Sequence, residues 1–376
     1  MDSCKHANEL AHSVALNIVL IIVIIISAIA VVVEIWIIFK TTNRILLHQN
    51  TRILIIVHQL WLILHCIARI FAHTYVLLAY HKTRVDPCGY MTFLWECFMM
   101  RTPISLTLFL NAASIPTVVI ERAIATYFSS RYENFGKSIA VILIVMQLTI
   151  GIGSFLFMSS NFKLFDSEKV VYCSTANKEN ALKSAAVLGF YATIDSISAL
   201  TFPVLFCINK AILIYYLQKH SPTSYLMITT CGEVNTNFLL LLGLTLSPLA
   251  FIQRFHRNKI HVNLSHRYQI TENISSLQTL SPIVAFHSLF LALYLGALFM
   301  YFAIDFKFSP KQFAIYLESV QLTPLYALTL PIAIVWTEKH VRKTTQENCQ
   351  KAIELTGSEA ANHYFTIFET PKGKNG

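Results

Sequence analysis

The chain has 376 residues, of which 55% are hydrophobic and only 13% are charged, and its mean hydropathy is +0.55. Soluble domains carry about 25% charged residues, so this composition excludes an ordinary water-soluble protein and indicates one that is solvated by lipid. We attribute the net charge of +9 to basic loops at the cytoplasmic face of a membrane rather than to nucleic-acid binding. The eight cysteines are spread too widely for a small secreted disulfide framework.

A short polar N-terminus, residues 1–13, precedes the first apolar run at 14–39. This run is longer than the roughly 7–15 residues of a signal-peptide core and lacks a small-residue cleavage site, so we interpret it as a retained membrane helix. The loop after it carries Lys40, Arg44 and Arg52. By the positive-inside rule this loop is cytoplasmic, which predicts an extracellular N-terminus.

Six further apolar runs follow, and each is long enough for a crossing of about 20 residues. They cover 53–80, 91–120, 138–158, 185–216, 280–304 and 313–336. The sequence therefore predicts an all-α integral membrane protein, with a seven-transmembrane helix bundle over 14–336 and the N-terminus outside. The remaining segment, 337–376, begins with a basic stretch and is predicted to be a cytoplasmic tail.

An eighth apolar stretch, 238–252, does not fit this topology well, because it is short for a crossing and contains Pro248. If it crossed, the basic segment with Arg254 and Arg257 would lie outside, and so would the basic tail. We therefore predict that it is interfacial, re-entrant or a sequence artefact. The glycosylation sequons at Asn263 and Asn273 are cytoplasmic in this topology and should be unmodified.

Several cysteines should lie outside the membrane. Cys97 precedes Arg122 by about one membrane crossing, which places it at the outer end of the third helix. The loop after the fourth helix carries Cys173, and an oxidising exterior permits a disulfide between the two. Cys88 is an alternative partner, and Cys4 could take whichever thiol remains.

The second run carries a polar stripe of His58, His65, Arg69 and His73, whose spacings of seven, four and four place them on one helical face. Because facing lipid would be costly, this face should line the bundle interior. The histidines span too many turns to meet on one ion, so neither a metal site nor a cofactor is predicted. A hydrogen-bonded interior face is the simplest interpretation.

Charged residues inside the apolar runs are candidates for a ligand pocket. They are Arg69, His73, Arg101, Asp195 and Glu318, all in the outer halves of their runs. Two arginines and a histidine facing two carboxylates could bind a small anionic or polar ligand that displaces an internal ion pair. The alternative is that Arg101–Glu318 or Arg69–Asp195 are structural pairs.

At the end of the third run, Glu121 and Arg122 form a charged pair where hydrocarbon gives way to water. A charge there escapes most of the roughly 2.5–3.5 kcal/mol cost of a place at the bilayer centre, and a cytoplasmic partner could sense it. The polar segment that follows contains Tyr132 and Glu133. No Walker loop, HExxH or GxSxG motif occurs, so no enzyme is predicted.

Together these features resemble a G-protein-coupled receptor (GPCR): seven apolar runs, a cysteine at the head of the third, a Glu-Arg pair at its foot and a basic tail. More narrowly, ERAIATYFSSRYE at 121–133 is similar to the nematode serpentine chemoreceptors of the Sra superfamily. The segments HQNTRIL at 48–54, LSHRYQITEN at 264–273 and ANHYFTIFE at 361–369 support the same match. The resemblance covers most of the chain and is greatest to the Srab class, with Sra, Srb and Sre as near neighbours.

The resemblance implies that an external small molecule is sensed and that a heterotrimeric G protein is activated, at the plasma membrane of sensory neurons. It makes Arg122 the switch arginine, Glu121 its ionic restraint, and Tyr132 and Glu133 part of the second intracellular loop that meets the Gα subunit. The chain departs from the wider receptor pattern, since Ala123 replaces an aromatic residue and no NPxxY occurs in the seventh run. Homo- or hetero-oligomers are compatible with such a bundle.

Two interpretations from other classes stay open at the level of sequence. In a transporter or channel the His/Arg stripe would be a conduction path, although the chain has no internal repeat of the kind that many transporters show. In a heteromeric co-receptor the chain would traffic a partner without sensing a ligand itself.

Overall fold

The computed structural model describes residues 2–41, 47–129, 131–160, 169–173, 181–220, 264–303 and 308–354. Over these ranges the chain is almost entirely helical. The α-helices are α1 Asp2–Ala11, α2 Val14–Thr41, α3 Gln49–His81, α4 Leu94–Tyr127, α5 Ser138–Ser159, α6 Ala181–His220, α7 Leu264–Ala303, α8 Pro310–Ser319 and α9 Thr323–Glu354. Short 3-10 helices cover Pro87–Tyr90 and Tyr132–Phe135, and β1 (Thr92–Phe93) pairs antiparallel with β2 (Lys169–Val170). The apolar stretch 238–252 lies outside the described residues.

Seven helical segments in the described ranges are long and apolar enough to cross a membrane, which confirms the predicted all-α, seven-span fold. They are Val14–Lys40, Gln49–His81, Leu94–Tyr127, Ser138–Ser159, Leu182–Leu213, Gln269–Met300 and Pro310–His340. The spans differ in how much of their surface they bury. In α4, 78% of the most apolar stretch is buried inside the bundle, against 28% in α2 and in α5. The central helix is therefore α4, while α2 and α5 turn most of their side chains outward.

The bundle is assembled around α4, which packs against α3, α5, α6 and α7, while α9 packs against α2 and α7. Its largest apolar cluster includes Leu62 of α3, Val118 of α4, Leu280 of α7 and Leu330 of α9. Small residues let helices approach closely in lipid. Gly151 of α5 is such a residue, because a Cβ at this position would lie 2.6 Å from Cδ2 of Leu110.

The last span is built from two helices, whereas the sequence predicted one run over 313–336. The chain breaks between α8 and α9, at residues 320–322. Pro324 lies in the first turn of α9, and because it lacks an N–H and its ring clashes with the carbonyl four residues earlier, it disfavours one helix that continues from α8. A capping box at Ser309 and Gln312 starts α8. The largest extensions past the predicted boundaries are in α7, which begins at Leu264 rather than near 280, and in α9, which continues to Glu354 rather than ending near 336.

One end of the bundle is covalently closed, and we call it the disulfide end. Here the short polar N-terminus forms α1, which is joined to the 3-10 helix at Pro87–Tyr90 by the Cys4–Cys88 disulfide. A second disulfide joins Cys97, in the first turn of α4, to Cys173. The opposite end, where α4 finishes, we call the Arg122 end.

Candidate functional site

At the Arg122 end, the fully buried carboxylate of Glu121 is the centre of a hydrogen-bond network. The Arg122 guanidinium forms a bidentate ion pair with it, with Nε 2.6 Å from Oε2 and Nη2 2.5 Å from Oε1. The hydroxyl of Tyr132 donates to Oε1, and Oγ1 of Thr51 donates to Oε2 at 3.0 Å. Both carboxylate oxygens are thus saturated by charge-assisted or hydroxyl donors, which is the condition under which a buried ion pair persists.

Arg122 also ties α4 to the neighbouring helices. Its Nη1 donates to Oδ1 of Asn273 on α7 at 3.3 Å, and Nδ2 of Asn273 donates back to the backbone oxygen of Ala125 at 3.2 Å. One turn further along α4, Thr126 accepts a 2.8 Å hydrogen bond from Nδ2 of Asn209 on α6. The guanidinium is consequently buried, with 1% of the residue exposed. The sequence predicted the Glu-Arg pair but missed these uncharged partners.

Tyr132 holds the loop after α4 against the start of α3. It is 4% exposed, its ring meets that of His48 at a centroid distance of 4.5 Å, and its hydroxyl accepts from Nδ2 of Asn50 at 3.1 Å. Burial, together with the adjacent charge of Glu121, raises the pKa of Tyr132, so the phenol keeps the proton that it donates. Glu133 lies in the same 3-10 helix, and its side chain is not in the described part of the chain.

At the disulfide end, four of the five predicted pocket residues meet at the carboxylate of Glu318 on α8. Nη2 of Arg101 donates to it at 2.6 Å and Nη1 of Arg69 at 3.2 Å, while Nε2 of His73 lies 3.1 Å away. The hydroxyl of Tyr172 donates at 2.5 Å. The predicted Arg101–Glu318 pair is therefore present, within a cluster that joins α3, α4, α8 and the segment before Cys173.

The rest of the Arg69 guanidinium is held by the polar stripe of α3. Its Nε donates to Nε2 of His65 at 3.1 Å, and Nδ1 of His65 lies 3.0 Å from Oγ1 of Thr107 on α4. Because Nε2 of His65 accepts a hydrogen bond, Nδ1 is the protonated ring nitrogen, and it donates to Oγ1 of Thr107. Burial and the charge of Glu318 raise the pKa of Tyr172 well above its ordinary value. The phenol of Tyr172 therefore keeps the proton that it donates to Glu318.

Asp195 does not belong to this cluster, so of the two alternative structural pairs Arg69–Asp195 is not formed. Its Oδ1 lies 3.8 Å from Nε2 of His287 on α7. Asp195 is separated from the Glu318 cluster because α6 packs mainly against α7 and α4. The carboxylate of Asp195 therefore faces α7. The other ring nitrogen of His287 lies 3.1 Å from the hydroxyl of Tyr326, which also meets Nε2 of His58 at 2.9 Å.

A cavity of about 40 Å³ lies beside His287 and Tyr326, between the two ends of the bundle. Asn111 of α4, which was not among the predicted site residues, also lines it. A polar amide in the middle of an apolar run was the available signal. A second omission is Glu34, the fully buried acid in the otherwise apolar first span, whose carboxylate interacts with the side chain of Gln59 on α3.

The described residues thus form a bundle of seven apolar spans with a buried Glu-Arg pair at one end of the central helix and a disulfide at the other, the seven-transmembrane (7TM) arrangement that the sequence predicted. The family model described as "Serpentine type 7TM GPCR receptor class ab chemoreceptor" matches residues 1–225 and 212–371. The chain is also 25% identical to serpentine receptor class alpha/beta-14 of Caenorhabditis elegans over 354 residues, which are 91% of this chain and 78% of that relative. The chain therefore belongs to the class ab serpentine chemoreceptor family, as its sequence motifs predicted.

Proposed function

We propose that this chain is a chemosensory GPCR of the plasma membrane of sensory neurons. It binds an external small molecule within the helix bundle and activates a heterotrimeric G protein through Arg122. The buried Glu121–Arg122 network carries this proposal, because it keeps a permanently charged guanidinium at the end of the central helix out of reach of any partner. Membership of a chemoreceptor family gives the network its context.

In the proposed resting state, Arg122 is restrained by Glu121 within α4 and by Asn273 on α7. Moving α6 and α7 away from α4 breaks the Arg122–Asn273 and Asn209–Thr126 hydrogen bonds together. A ligand shifts this equilibrium only to the extent that it binds one helix arrangement more tightly than the other. The ion pair makes the resting arrangement the default, and ligand binding opposes it.

The disulfide end supports a ligand-responsive role for α8 and α9. The Glu318 cluster connects α8 to α3 and α4, and α9 continues from the break after α8 to the Arg122 end. A molecule that binds beside this break changes how α9 packs against α2 and α7. The two ends of the bundle are thereby linked through one discontinuous span.

The test needs no ligand, because loss of the restraint should activate the receptor by itself. Membranes containing the wild type or Glu121→Gln are combined with members of each Gα class, and guanine-nucleotide exchange is measured at equal surface expression. Breaking a buried ion pair costs about 3–5 kcal/mol, so Glu121→Gln should raise basal exchange strongly for at least one Gα. Glu96→Gln, at the other end of α4, is the matched control and should behave like the wild type.

The double variant Glu121→Gln/Arg122→Ala separates signalling from misfolding. It should lose the elevated exchange while reaching the cell surface as efficiently as Glu121→Gln. Basal exchange that equals the wild type for every Gα class, in both variants, would contradict the receptor proposal. Solute or ion flux by the purified protein in liposomes, without any G protein, would instead favour a transporter.

A further inference from the structure

We infer that the central cavity is a binding subsite for a small neutral molecule whose head group both donates and accepts hydrogen bonds, and that Asn111 recognises this head group. Carboxamides and hydroxyl compounds are the chemical classes that fit. The inference deepens the proposed function, since it names the ligand class of the same receptor. Binding itself does not depend on coupling to a G protein.

The unmet hydrogen-bonding capacity of Asn111 carries the inference. Asn111 is 4% exposed, and neither its amide nitrogen nor its amide oxygen has a hydrogen-bond partner among the residues that the structure describes. Native proteins satisfy most buried polar side chains, so such a group calls for an explanation. Asn111 lines the cavity, and its amide offers one acceptor and two donor hydrogens, so a complementary head group in the cavity would satisfy it.

The shape of the cavity limits the size of this head group. Leu108, Ala112, Phe290 and Leu322 give it apolar walls, and Thr323 and Tyr326 lie at its border. Its volume, about 40 Å³, exceeds the roughly 10–15 Å³ that one water needs and falls short of the roughly 150 Å³ cavity that holds benzene. The preformed space therefore accepts a head group with few heavy atoms.

The lining of the cavity favours a neutral ligand. Among the described residues that form it there is no Asp, Glu, Lys or Arg. An ionised group would be buried there without a counter-charge, which is strongly unfavourable in an apolar environment. His287 is already engaged with Tyr326 and faces Asp195, so it offers no free cation.

The charged cluster at the disulfide end is a weaker candidate for the head-group site. The carboxylate of Glu318 already has Arg69, Arg101, His73 and Tyr172 around it. An anionic ligand would have to displace Glu318 and leave it buried without its partners. Arg101 precedes Asn111 by ten positions, roughly 15 Å along α4, so the two sites can be tested separately.

The experiment uses three molecules of nearly the same size: acetamide, acetone and acetate. Binding to the purified receptor in nanodiscs is measured by saturation transfer to the methyl protons of each probe. Acetamide should bind, acetone should bind more weakly because it only accepts, and acetate should not bind. In Asn111→Leu the affinity for acetamide should fall at least about tenfold, the effect of losing two hydrogen bonds.

Two further variants keep the result interpretable. Thr323→Leu fills part of the cavity while leaving Asn111 in place, and it should also weaken acetamide binding. Asn111→Leu should melt at or above the wild-type temperature, because an apolar group of similar shape replaces an unsatisfied amide. Asn209→Leu is the matched control and should melt lower, since Asn209 donates to Thr126 and to the Leu205 carbonyl.

The inference is overturned if acetamide fails to bind the wild type, if Asn111→Leu retains the acetamide signal, or if acetate binds better than acetamide. A fall in the melting temperature of Asn111→Leu as large as that of Asn209→Leu also overturns it, because Asn111 would then have a structural partner such as a buried water. None of these readouts involves a G protein. Failure here therefore leaves the test of Glu121→Gln untouched, and the converse also holds.

Discussion

Among the described residues, the carboxylate of Glu121 has four hydrogen-bond donors: two from Arg122 and one each from Tyr132 and Thr51. A buried ion pair adds little net stability over a well-packed apolar pair, yet removing one partner costs about 3–5 kcal/mol. This asymmetry suits a switch, since the intact network holds one arrangement firmly without making the whole bundle rigid. The neutral donors then set how firmly it is held.

Tyr132→Phe should loosen this restraint without abolishing it. The change removes one hydrogen bond to an ionised carboxylate, worth about 1.5–3 kcal/mol, and it leaves Nδ2 of Asn50 without its acceptor. Basal nucleotide exchange should rise, but less than in Glu121→Gln. Tyr127→Phe is the control, because Tyr127 is half exposed and its ring contact with Phe128 is preserved. Exchange equal to that of the wild type would show that this hydroxyl does not restrain the pair.

Glu318 and Asp195 provide a matched pair at the residue scale, because both are buried carboxylates with very different surroundings. Glu318→Gln leaves two buried arginines without their counter-charge, so a loss of about 3–5 kcal/mol is expected. Asp195→Asn loses a 3.8 Å contact with His287 and keeps a side-chain oxygen that can accept from Ser288, so it should change stability much less. Thermal melting of both purified variants checks the order. Equal melting temperatures would contradict a structural role for the Glu318 cluster.

At the scale of elements, the break between α8 and α9 accounts for several features at once. It lies directly after Glu318 and directly before Thr323, so one discontinuity supplies both a cluster residue and a cavity residue. A continuous helix would carry these two side chains on adjacent turns of a single cylinder. Pro324 gave the sequence-level signal for this break, but a proline inside a membrane span is often tolerated without one.

The link between α4 and the segment that carries Cys173 predicts a simple thiol count. The Cys97–Cys173 disulfide closes a loop with a sequence separation of 76, worth about 4.5 kcal/mol in the chain-entropy model. Cys97→Ser should therefore expose one additional thiol to a maleimide polymer under denaturing, non-reducing conditions. The double variant Cys97→Ser/Cys173→Ser should return to the wild-type count. An unchanged count in the single variant would rule out this pairing.

The sequence predicted what depends on local pattern and missed what depends on packing between helices. Run lengths gave the seven spans, and the position of Glu121–Arg122 at the end of α4 followed from its run. Asn273 could not be selected, because its role requires α7 to lie beside α4, a relation between residues 151 positions apart. Asp195 was assigned to the wrong cluster for the same reason, since no periodicity within α6 reveals which neighbour it faces.

For the whole molecule, the two polar assemblies lie at opposite ends of the same central helix. Glu318 gathers donors from α3, α4 and the segment before Cys173, and Glu121 gathers donors from α3, α4 and the loop after α4. Each assembly therefore fixes the spacing of the helices at its own end. The cavity beside Asn111 lies between them, where the described residues leave polar groups unsatisfied. The proposed ligand subsite therefore lies between two levels at which polar contacts hold the helices together.

The orientation of the bundle in the membrane can be predicted from its disulfides and from its basic residues. Disulfides persist in oxidising compartments, so the end closed by Cys4–Cys88 and Cys97–Cys173 should be extracellular. At the opposite end, the basic residues Lys40 and Arg52 lie on either side of the connection between α2 and α3. The positive-inside rule predicts that they are cytoplasmic. Two independent physical constraints, one redox and one electrostatic, thus give the same direction.

Single cysteines at the two ends check this orientation. Val85, fully exposed between α3 and the 3-10 helix, lies at the disulfide end, and Lys343 is exposed on α9 beyond the Arg122 end. A membrane-impermeant maleimide should label Val85→Cys in intact cells and should label Lys343→Cys only after permeabilisation. The reverse pattern would invert the receptor and place Arg122 outside, where no G protein can reach it. Five of the seven spans lie between Val85 and Lys343, so the two positions should be on opposite sides of the membrane. Labelling of both in intact cells would contradict this topology.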